Sequence, residues 1–388
     1  MNSKNKMKKI GLLVETSREF GRQLIMGVAR YSRIHGPWTF YKEPIDLKSA
    51  IPNLTRWKPD GLIIRDSLIT EELLKMKIPT ILAIHCSSQS HKFPVIRTDS
   101  ASIAEMASKH LIEKGLKNFA FCGFKDYDWS EQRGLNFCKF NEEAGYRTYV
   151  YAPPTCIPNN EWEYEHKYIS KWINDLPKPI GIFACNDDRG QHILEVCKES
   201  NLKVPEDVAV VGVDNDPLIC DISDPPLTSI ALNVEPAGYE AAKLIDNMIE
   251  GREVSNKHIL VTPSLLVQRQ SSDILAVNDA DVAQAIQFII NNAKNKILVE
   301  DVVRTTRISK RTLERKFKQT IHRSIYNEIQ FVRISLISKL LIETNLSISK
   351  ITSLFDFTDM EHISRYFKRE KGVGLREFRK YHKPGSFN

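Results

Sequence analysis

The stretch Ile308–Lys318, I-S-K-R-T-L-E-R-K-F-K, decides the fold of the C-terminal part of the chain. A second stretch, Thr358–Lys368, T-D-M-E-H-I-S-R-Y-F-K, repeats its Arg-x-Phe-Lys ending 50 positions later. In the first copy Leu313 and Phe317 stand four positions apart, and the second copy has an equivalent apolar pair. This spacing predicts two short helices, each with one apolar side for packing and a polar side that faces outward.

Each of these helices follows a capping residue and another amphipathic stretch. Ser309 precedes the first copy, and Thr358 or Asp359 precedes the second; such side chains accept the free backbone N–H groups at a helix start. The stretches before them, 299–303 and 348–351, also have helical spacing. Two helices joined by a tight turn are typical of the helix-turn-helix unit. The sequence therefore predicts two such units.

The segment between the two copies is predicted to be one long helix. Residues 324–341 contain neither Gly nor Pro. Their apolar side chains recur every three or four positions, which is the period of an α-helix. These positions are Ile325, Ile329, Val332, Leu336 and Leu340. We therefore expect an all-α domain in which a long helix joins two helix-turn-helix units.

Residues 282–382 resemble the DNA-binding domain of AraC-type regulators. The matching positions are Ser309, Leu313, Arg315, Phe317, Lys318, Arg333, Leu340, Leu341, Ile348, Ile351, Phe357, Phe367, Lys368, Gly372, Phe378 and Arg379. Asp356 stands where that family usually has Gly in the turn, and Gly374-Leu375 where it usually has Ser-Pro. Asp tolerates a left-handed turn better than most residues. The resemblance implies binding to double-stranded DNA at two adjacent places.

Basic residues are concentrated in this same part of the chain. Residues 275–388 carry 21 Lys and Arg against 12 Asp and Glu, whereas residues 1–274 carry 34 against 36. The net charge of +7 therefore comes entirely from the C-terminal part. A solvated basic face would be the simplest explanation, but the repeated helix-turn-helix pattern favours a surface that contacts phosphate groups.

The length of 388 residues indicates two or three domains, because one hydrophobic core rarely serves more than about 250–300 residues.

Seven cysteines, an odd number without a C-x-x-C pair, fit inert thiols in a reducing compartment rather than disulfides or a zinc site. The apolar run 10–14 is too short for a signal peptide, and no run has the length of a membrane span. We expect a cytoplasmic protein without a membrane anchor.

The first two thirds of the chain alternate short apolar runs with amphipathic segments. The predicted strands are 9–14, 61–64, 79–84, 118–123, 181–184 and 208–213, and the predicted helices are 21–34, 70–76, 100–114, 130–144, 190–200 and 238–250. This alternation predicts a parallel, doubly wound α/β structure. The segment 258–269 closes it, and the polar stretches that follow mark a linker.

Polar and aromatic residues follow several of these strands, at the edge where open α/β sheets bind ligands. Carboxylates and amides exchange hydrogen bonds with hydroxyl groups, arginine donates two at once, and an aromatic ring stacks on the C–H face of a sugar. The candidate sugar-binding residues are Phe20, Asp66, His85, Arg133, Asn186, Asp188 and Asp214. A turn or a helix cap is the alternative role for Asp214, and a surface salt bridge for Arg133.

Residues 9–270 resemble the two-lobed (type I) α/β sugar-binding core of LacI-type regulators and periplasmic pentose-binding proteins. The matching positions are Gly27, Asp60-Gly61, Thr98-Asp99, Arg133, 184–188, 204–208 and 211–214. The resemblance implies that Arg133, Asn186 and Asp214 hydrogen-bond the sugar and that Phe20 stacks on it. His85 departs from the usual Asp of pentose-binding proteins, and Leu232 from a usual polar residue.

The order of the two resemblances is informative. LacI-type regulators carry a DNA-binding headpiece before the sensor, whereas only residues 1–8 precede the first strand here. A sensor followed by an AraC-type domain resembles the xylose-responsive regulators of enteric bacteria, with agreement at Arg22-Gln23, Asp66, 212–215 and 241–244. We therefore expect a sugar-sensing domain at 8–274, a linker at 275–281 and a DNA-binding domain at 282–388. The resemblance implies a pentose effector, D-xylose first.

The candidate DNA-binding residues lie on the two recognition helices. They are Ser309, Lys310, Arg311, Thr312, Arg315, Lys316, Lys318, Met360, Glu361, His362, Arg365 and Lys368. Arg311 suits a bidentate contact to guanine, which contributes about 1–3 kcal/mol of discrimination. Glu361 and His362 are candidates for contacts to base edges, and the lysines of the first helix for contacts to phosphates. For the Arg and Phe of each Arg-x-Phe-Lys ending, packing against the helical core is the alternative.

The patterns and the two resemblances together predict a transcription regulator of sugar catabolism genes that is not an enzyme and needs no cofactor or metal. The resemblance implies an activator rather than a repressor. The expected partners are double-stranded DNA, a sugar effector, a second copy of the chain in a homodimer and, for an activator, RNA polymerase. A sugar kinase or isomerase is the alternative from another class. It would require a phosphate-binding loop or a metal cluster, and the sequence offers only Asp187 and Asp188 with Glu15 and Asp66. The remaining alternatives are a transport protein and the same kind of regulator with another sugar or polyol as its effector.

Overall fold

The computed structural model describes residues 7–42, 50–65, 73, 75–84, 93–125, 127–152, 162–252, 258–273, 279–321, 323–355 and 360–382. The chain divides into two compact units, residues 1–274 and 275–388. A helix begins at Ala280, within the range 275–281 that the sequence assigned to a linker. Asp279 caps that helix because its carboxylate accepts from the backbone N–H of Asp281 at 3.1 Å and of Val282 at 3.3 Å.

The first unit alternates strands and helices. Its strands are β1 (Lys8–Leu13), β2 (Trp38–Tyr41), β3 (Gly61–Arg65), β4 (Thr80–Ala83), β5 (Val95–Thr98), β6 (Phe119–Cys122), β7 (Thr148–Val150), β8 (Ile180–Ala184), β9 (Val208–Val213), β10 (Thr228–Leu232), β11 (His258–Val261) and β12 (Pro263–Val267). Its helices are α1 (Glu19–His35), α2 (Ala50–Trp57), α3 (Ser100–Glu113), α4 (Asp128–Glu143), α5 (Trp162–Asp175), α6 (Asp187–Glu199), α7 (Pro217–Ile222) and α8 (Val234–Ile249).

These strands form two six-stranded sheets, and each sheet is the centre of one lobe. The sheet of lobe 1 has the order β11-β5-β4-β3-β1-β2, and that of lobe 2 has the order β12-β10-β9-β8-β6-β7. The chain passes between the sheets after β5, after β10 and after β11. The prediction of a two-lobed α/β unit is confirmed. The expectation of parallel strands needs one correction, because β12 runs antiparallel to β10.

Apolar strands and helix faces fill both lobes. In lobe 1, α1 packs on α8 so closely that a Cβ on Gly27 would lie 2.0 Å from the backbone oxygen of Glu235. A Cβ on Gly238 would lie 2.2 Å from the oxygen of Leu24. The two glycines therefore let the helix backbones approach each other, which fixes the position of α1. Lobe 2 has its own fully buried core, formed by residues such as Ile182, Ile193 and Val210.

The second unit is all-α. Its helices are α9 (Ala280–Asn292), α10 (Val299–Arg304), α11 (Lys310–Thr320), α12 (Ile325–Glu343), α13 (Ile348–Ser353), α14 (Met360–Lys371) and α15 (Leu375–His382). The long helix α12 was predicted from the sequence, and at 1.5 Å per residue its 19 residues span roughly 28 Å. In the part of the chain that the structure describes, no helix has both the length and the apolar character needed to cross a membrane.

Helix α12 serves two separate cores. Ile325 and Ile329 pack in the first core with α11, whereas Ile334, Ile337 and Leu341 pack in the second core with α14. The predicted stripe is therefore correct only in its first half. In the second half Val332, Leu336 and Leu340 are half-buried, because the fully buried side chains lie on a different side of the helix.

Candidate functional site

In lobe 2, three of the candidate sugar-binding residues lie at the carboxyl edge of the sheet or next to it. Asp214 directly follows β9, Asn186 follows β8 by two residues, and Arg133 lies on α4 beside them. Asp214 has a φ of +103°, a conformation that Asp and Asn adopt more readily than other side chains. The end of the strand thus requires a residue of this type, and its carboxylate becomes part of the cleft.

The carboxylate of Asp214 is held in a charged but poorly solvated place. Burial raises its pKa to about 6, and the attraction of Arg133 and Arg65 opposes that rise. Among the described residues, no side chain or backbone group donates a hydrogen bond to its oxygens, although its backbone N–H is bonded to Ile230 at 2.9 Å. Asp214 is therefore an acceptor that is available to a ligand.

Arg133 is the complementary donor. Its side chain is only 2% exposed, and one Nη donates to the backbone oxygen of Cys185. The guanidinium carbon lies 4.9 Å from the ring centroid of Trp129, and the buried Nε has no hydrogen-bond partner among the described residues. Burial lowers the pKa of Arg133, whereas the carboxylate of Asp214 favours its charged form. An unmatched buried donor costs about 1–3 kcal/mol, and a ligand hydroxyl would satisfy it.

Phe20 supplies an aromatic face from lobe 1. The residue lies in the first turn of α1 and is 9% exposed. The guanidinium carbon of Arg65, the last residue of β3, lies 5.2 Å from the centre of its ring. The sequence places Arg65 among the polar residues that follow strands, although it was not carried into the final set of candidate sugar-binding residues. The charge of Arg65 also acts to lower the pKa of Asp214 in lobe 2, so we place Phe20 and Arg65 on the lobe 1 side of the candidate site.

Asn186 and Asp188 already have partners within the protein. Asn186 caps α6 by accepting from the backbone N–H of Arg189 at 3.0 Å, and its Nδ2 donates to Asp188 at 3.1 Å. Asp188 forms an ion pair of two 2.7 Å contacts with Arg18 of lobe 1. These two residues border the cleft but are less available than Asp214. The other two candidates, Asp66 and His85, lie outside the described residues.

In the second unit, α11 presents a basic stripe. Ser309 caps the helix by accepting from the backbone N–H of Thr312 at 3.3 Å, as the sequence predicts. Leu313 and Phe317 are fully buried in the first core. The exposed basic side chains Arg311, Arg315 and Lys318 recur at every third or fourth position, and none has an ion-pair partner among the described residues. This outward side is a surface for an anionic partner.

Two lysines of the same helix are engaged differently. Lys310 forms an ion pair with Glu300 at 2.9 Å. Lys316 contacts both Asp279 and Asp281 at 2.7 Å, which ties α11 to the start of α9. The sequence suggested phosphate contacts for both lysines, but the structure gives their ammonium groups carboxylate partners within the unit. Lys318 is the lysine of α11 that fits the original suggestion best.

Helix α14 repeats this arrangement. Ile363 and Phe367 are buried in the second core, and Arg365 and Lys368 are exposed. The side chains of Met360, Glu361 and His362 lie outside the described residues, as do the proposed caps Thr358 and Asp359. Both arginines of the Arg-x-Phe-Lys endings, Arg315 and Arg365, are exposed, so the packing role belongs to the phenylalanines alone.

Two arginines, buried Arg333 and half-buried Arg379, join the second helix-turn-helix unit to α12. Arg333 donates to the backbone oxygen of Phe355, and Arg379 donates to that of Leu341 at 3.2 Å. Both were matched to the AraC-type pattern, and both have a structural role. Among the described residues no group of acidic, His and Cys side chains has the arrangement of a metal site.

Comparisons with known proteins find a match within each of the two compact units. A family model described as a periplasmic binding protein-like domain matches residues 108–272, and one described as a helix-turn-helix domain matches residues 302–381. The xylose operon regulatory protein of Escherichia coli K12 is 30% identical over 96% of this chain and 97% of its own. That of Haemophilus influenzae is 32% identical over 96% and 98%.

Solved structures give the same result. A structure titled xylose-binding transcription activator xylR covers 98% of this chain and 99% of its own, with a TM-score of 0.64 and 29% identity. A structure titled as the lac repressor dimer bound to operator covers 69% of this chain and 95% of its own, with a TM-score of 0.54; at 17% identity it supports the fold alone. The chain therefore belongs to the family of xylose operon regulatory proteins, which are DNA-binding transcription regulators with an AraC-type helix-turn-helix domain.

Proposed function

We propose that this chain is a transcription activator whose first unit binds a pentose, D-xylose, and whose second unit binds operator DNA. The observation that carries the sugar half is the pair formed by Asp214 and Arg133. Each has hydrogen-bonding capacity that the described residues leave unused, and lobe 1 contributes the aromatic ring of Phe20 next to Arg65. A carboxylate, a guanidinium and an aromatic ring form the set that a neutral polyhydroxy ring requires.

The choice of D-xylose rests on the relatives. The proteins that match nearly the whole chain are named xylose operon regulatory proteins, and the solved structure is titled as xylose-binding. The cleft is compatible with this choice because a site built to hydrogen-bond hydroxyl groups discriminates against ligands that lack them. Another sugar or polyol would use the same residues with a different affinity.

The DNA half rests on the two recognition helices. We propose that α11 and α14 enter successive major-groove segments about one helical turn, ~34 Å, apart. Helix α12 is roughly 28 Å long. It packs in the cores of both helix-turn-helix units and so fixes the separation of α11 and α14. Arg311 and Arg365 would contact base edges, and Lys318 and Lys368 would contact phosphates. We further propose a homodimer that recruits RNA polymerase from a cytoplasmic position on the DNA, and no catalytic activity.

Isothermal titration calorimetry of the full-length protein tests the sugar half. D-xylose is expected to bind, and D-glucose, L-arabinose, D-ribose and xylitol to bind at least tenfold more weakly. Asp214→Asn is expected to abolish or strongly weaken the heat with D-xylose. If the wild-type protein gives no heat with any of these compounds, the proposed effector class is wrong. If another member of the panel binds most tightly, only the choice of D-xylose fails.

Selection of duplexes from a random DNA library with the full-length protein tests the DNA half. We expect a site with two conserved segments about 10–10.5 base pairs apart, one for each recognition helix. An Arg311→Ala protein should select a site that has lost information in one segment only. A library that yields no enriched sequence would contradict the proposal.

A further inference from the structure

The turn that follows β9 carries three consecutive polar side chains with three different surroundings. Asp214 and Asn215 have positive φ angles of +103° and +50°. Asp214 faces the charged cleft, whereas Asn215 accepts a hydrogen bond from Arg269 at 2.9 Å and its backbone donates to Ser229 at 2.9 Å. Two successive non-glycine residues with positive φ are uncommon. The surrounding bonds hold this turn in one shape, and that shape determines where Asp216 goes.

Asp216 reaches from lobe 2 to helix α1 of lobe 1. Its side chain is 2% exposed. One carboxylate oxygen accepts from the backbone N–H of Glu19 at 3.0 Å and from Arg22 at 2.7 Å. The other oxygen caps α7 by accepting from the N–H of Leu218 at 3.1 Å. One buried carboxylate therefore caps a helix in each lobe and forms an ion pair across the cleft.

Neighbouring groups position this carboxylate and its partner. Glu19 also accepts from Arg22 at 2.9 Å, so the arginine lies between two carboxylates. On the side of lobe 2, the backbone N–H of Asp216 donates to buried Asp187 at 2.7 Å, and Asp187 also accepts from Ser229. Asp187 directly follows Asn186 at the end of β8. The segments that follow β8 and β9 are thereby joined to each other.

We propose that Asp216 and Arg22 form a clasp that holds the two lobes closed and sets the sugar affinity without contacting the sugar. Both are positioning residues. The inference rests on the proposed sugar-binding function and deepens it. For a ligand that needs the closed arrangement, the apparent affinity is the intrinsic affinity multiplied by the fraction of molecules that are closed. Bonds that exist only in the closed arrangement therefore strengthen binding. Asp214, the candidate sugar acceptor, lies two residues before Asp216 in the same turn.

The ion pair between Arg18 and Asp188 also crosses the cleft but has a smaller expected effect. Its side chains are 46% and 29% exposed, whereas those of Arg22 and Asp216 are 29% and 2% exposed. Exposed pairs are screened by water and contribute little, whereas removing one partner of a buried pair leaves an unmatched charge. The clasp is therefore assigned to Asp216 and Arg22.

A double-mutant cycle on the full-length protein tests this assignment. D-xylose binding is measured by calorimetry for the wild type, Arg22→Met, Asp216→Asn and the double variant. Each single variant is expected to raise the dissociation constant at least tenfold, and the double variant to add no more than about twofold to the larger single effect. Arg22→Lys retains the charge and should restore part of the affinity, which a general folding defect would not allow.

The pair Arg30 and Glu235 is a matched control. Arg30 lies on the same helix α1, but Glu235 lies on α8 of the same lobe, 3.5 Å away, so this pair does not cross the cleft. Arg30→Met should leave the affinity for D-xylose within twofold of wild type. A large effect of Arg30→Met, or single clasp variants with wild-type affinity, would overturn the assignment.

Small-angle X-ray scattering separates the clasp from the choice of ligand. If the wild type does not bind D-xylose, the proposed function fails, and the clasp is judged from the sugar-free proteins. Arg22→Met and Asp216→Asn should then increase the radius of gyration relative to both the wild type and Arg30→Met. Equal radii in all four proteins would refute the clasp.

Discussion

Replacing Asp214 by Asn should stabilise the sugar-free protein while it weakens sugar binding. The cleft raises the pKa of this carboxyl from 3.8 to about 6, chiefly because burial disfavours the charged form. The folded protein therefore holds this proton more tightly than the unfolded chain does. Because of this linkage, stability is present at low pH and is lost as the pH rises from about 4 to about 6.

The size of the effect follows from the same shift. At 1.36 kcal/mol per unit, ionised Asp214 lowers the free energy of unfolding by at most about 3 kcal/mol at pH 7. Residual solvent contact reduces this to about 1–2 kcal/mol. Asn retains the shape and tolerates the positive φ, so the substitution removes the charge alone. Hydrogen bonds to a charged acceptor contribute about 1.5–3 kcal/mol, so the dissociation constant for D-xylose should rise roughly 10- to 150-fold.

Thermal unfolding at pH 7.5 and pH 5, with calorimetry at pH 7.5, checks both halves of this prediction. Asp214→Asn should melt at a higher temperature than the wild type at pH 7.5, and the difference should shrink at pH 5. Asp60→Asn serves as the control, because Asp60 bonds the backbone N–H of Lys9 at 2.8 Å in lobe 1. An Asp214→Asn protein that is less stable at pH 7.5, or that binds D-xylose as the wild type does, would refute the reasoning.

Three further predictions concern the second unit. Lys318→Ala should weaken binding to all duplexes evenly and reduce the slope of log K against log salt by about 1, whereas Arg311→Ala should mainly relax base preference; anisotropy titrations at several salt concentrations distinguish them. Lys316→Met should leave that slope unchanged, because its ammonium group is already paired with carboxylates; a slope reduced as in Lys318→Ala would show that it contacts phosphate. Phe317→Ala should destabilise this unit by about 3–5 kcal/mol, measured by circular dichroism in urea, since the ring is fully buried; a loss under 1 kcal/mol would contradict its packing role.

Periodicity predicted the elements whose apolar residues repeat regularly. Helices α1, α3, α4 and α12, and the strands β1, β3, β8 and β9, all coincide with predicted segments to within a few residues. The short elements β2, β7 and α7 were not predicted, because three to six residues of mixed polarity carry too little pattern. Helix α5, with 14 residues, was not predicted either. The antiparallel β12 was missed for a different reason: the direction of a strand depends on the path of the chain rather than on its own residues.

The candidate site was predictable where a side chain follows a strand and much less so where its partner lies far away in sequence. Asp214, Arg133 and Phe20 were identified from strand ends and family resemblance. The contacts of Asp188 with Arg18 and of Asp216 with Arg22 join residues separated by 170 and 194 positions. No local pattern indicates such a pairing. For the same reason the sequence could not show that Lys316 forms ion pairs with two carboxylates at the start of α9.

The central claim is that sugar bound in the first unit changes DNA binding by the second. Its most direct test is a fluorescence anisotropy titration of the full-length protein on the selected duplex, with and without saturating D-xylose. The account predicts that the sugar changes the dissociation constant for DNA at least fivefold and that Asp214→Asn loses this response while it still binds the duplex. Equal DNA affinity with and without the sugar, in a wild-type protein that binds D-xylose, would contradict it.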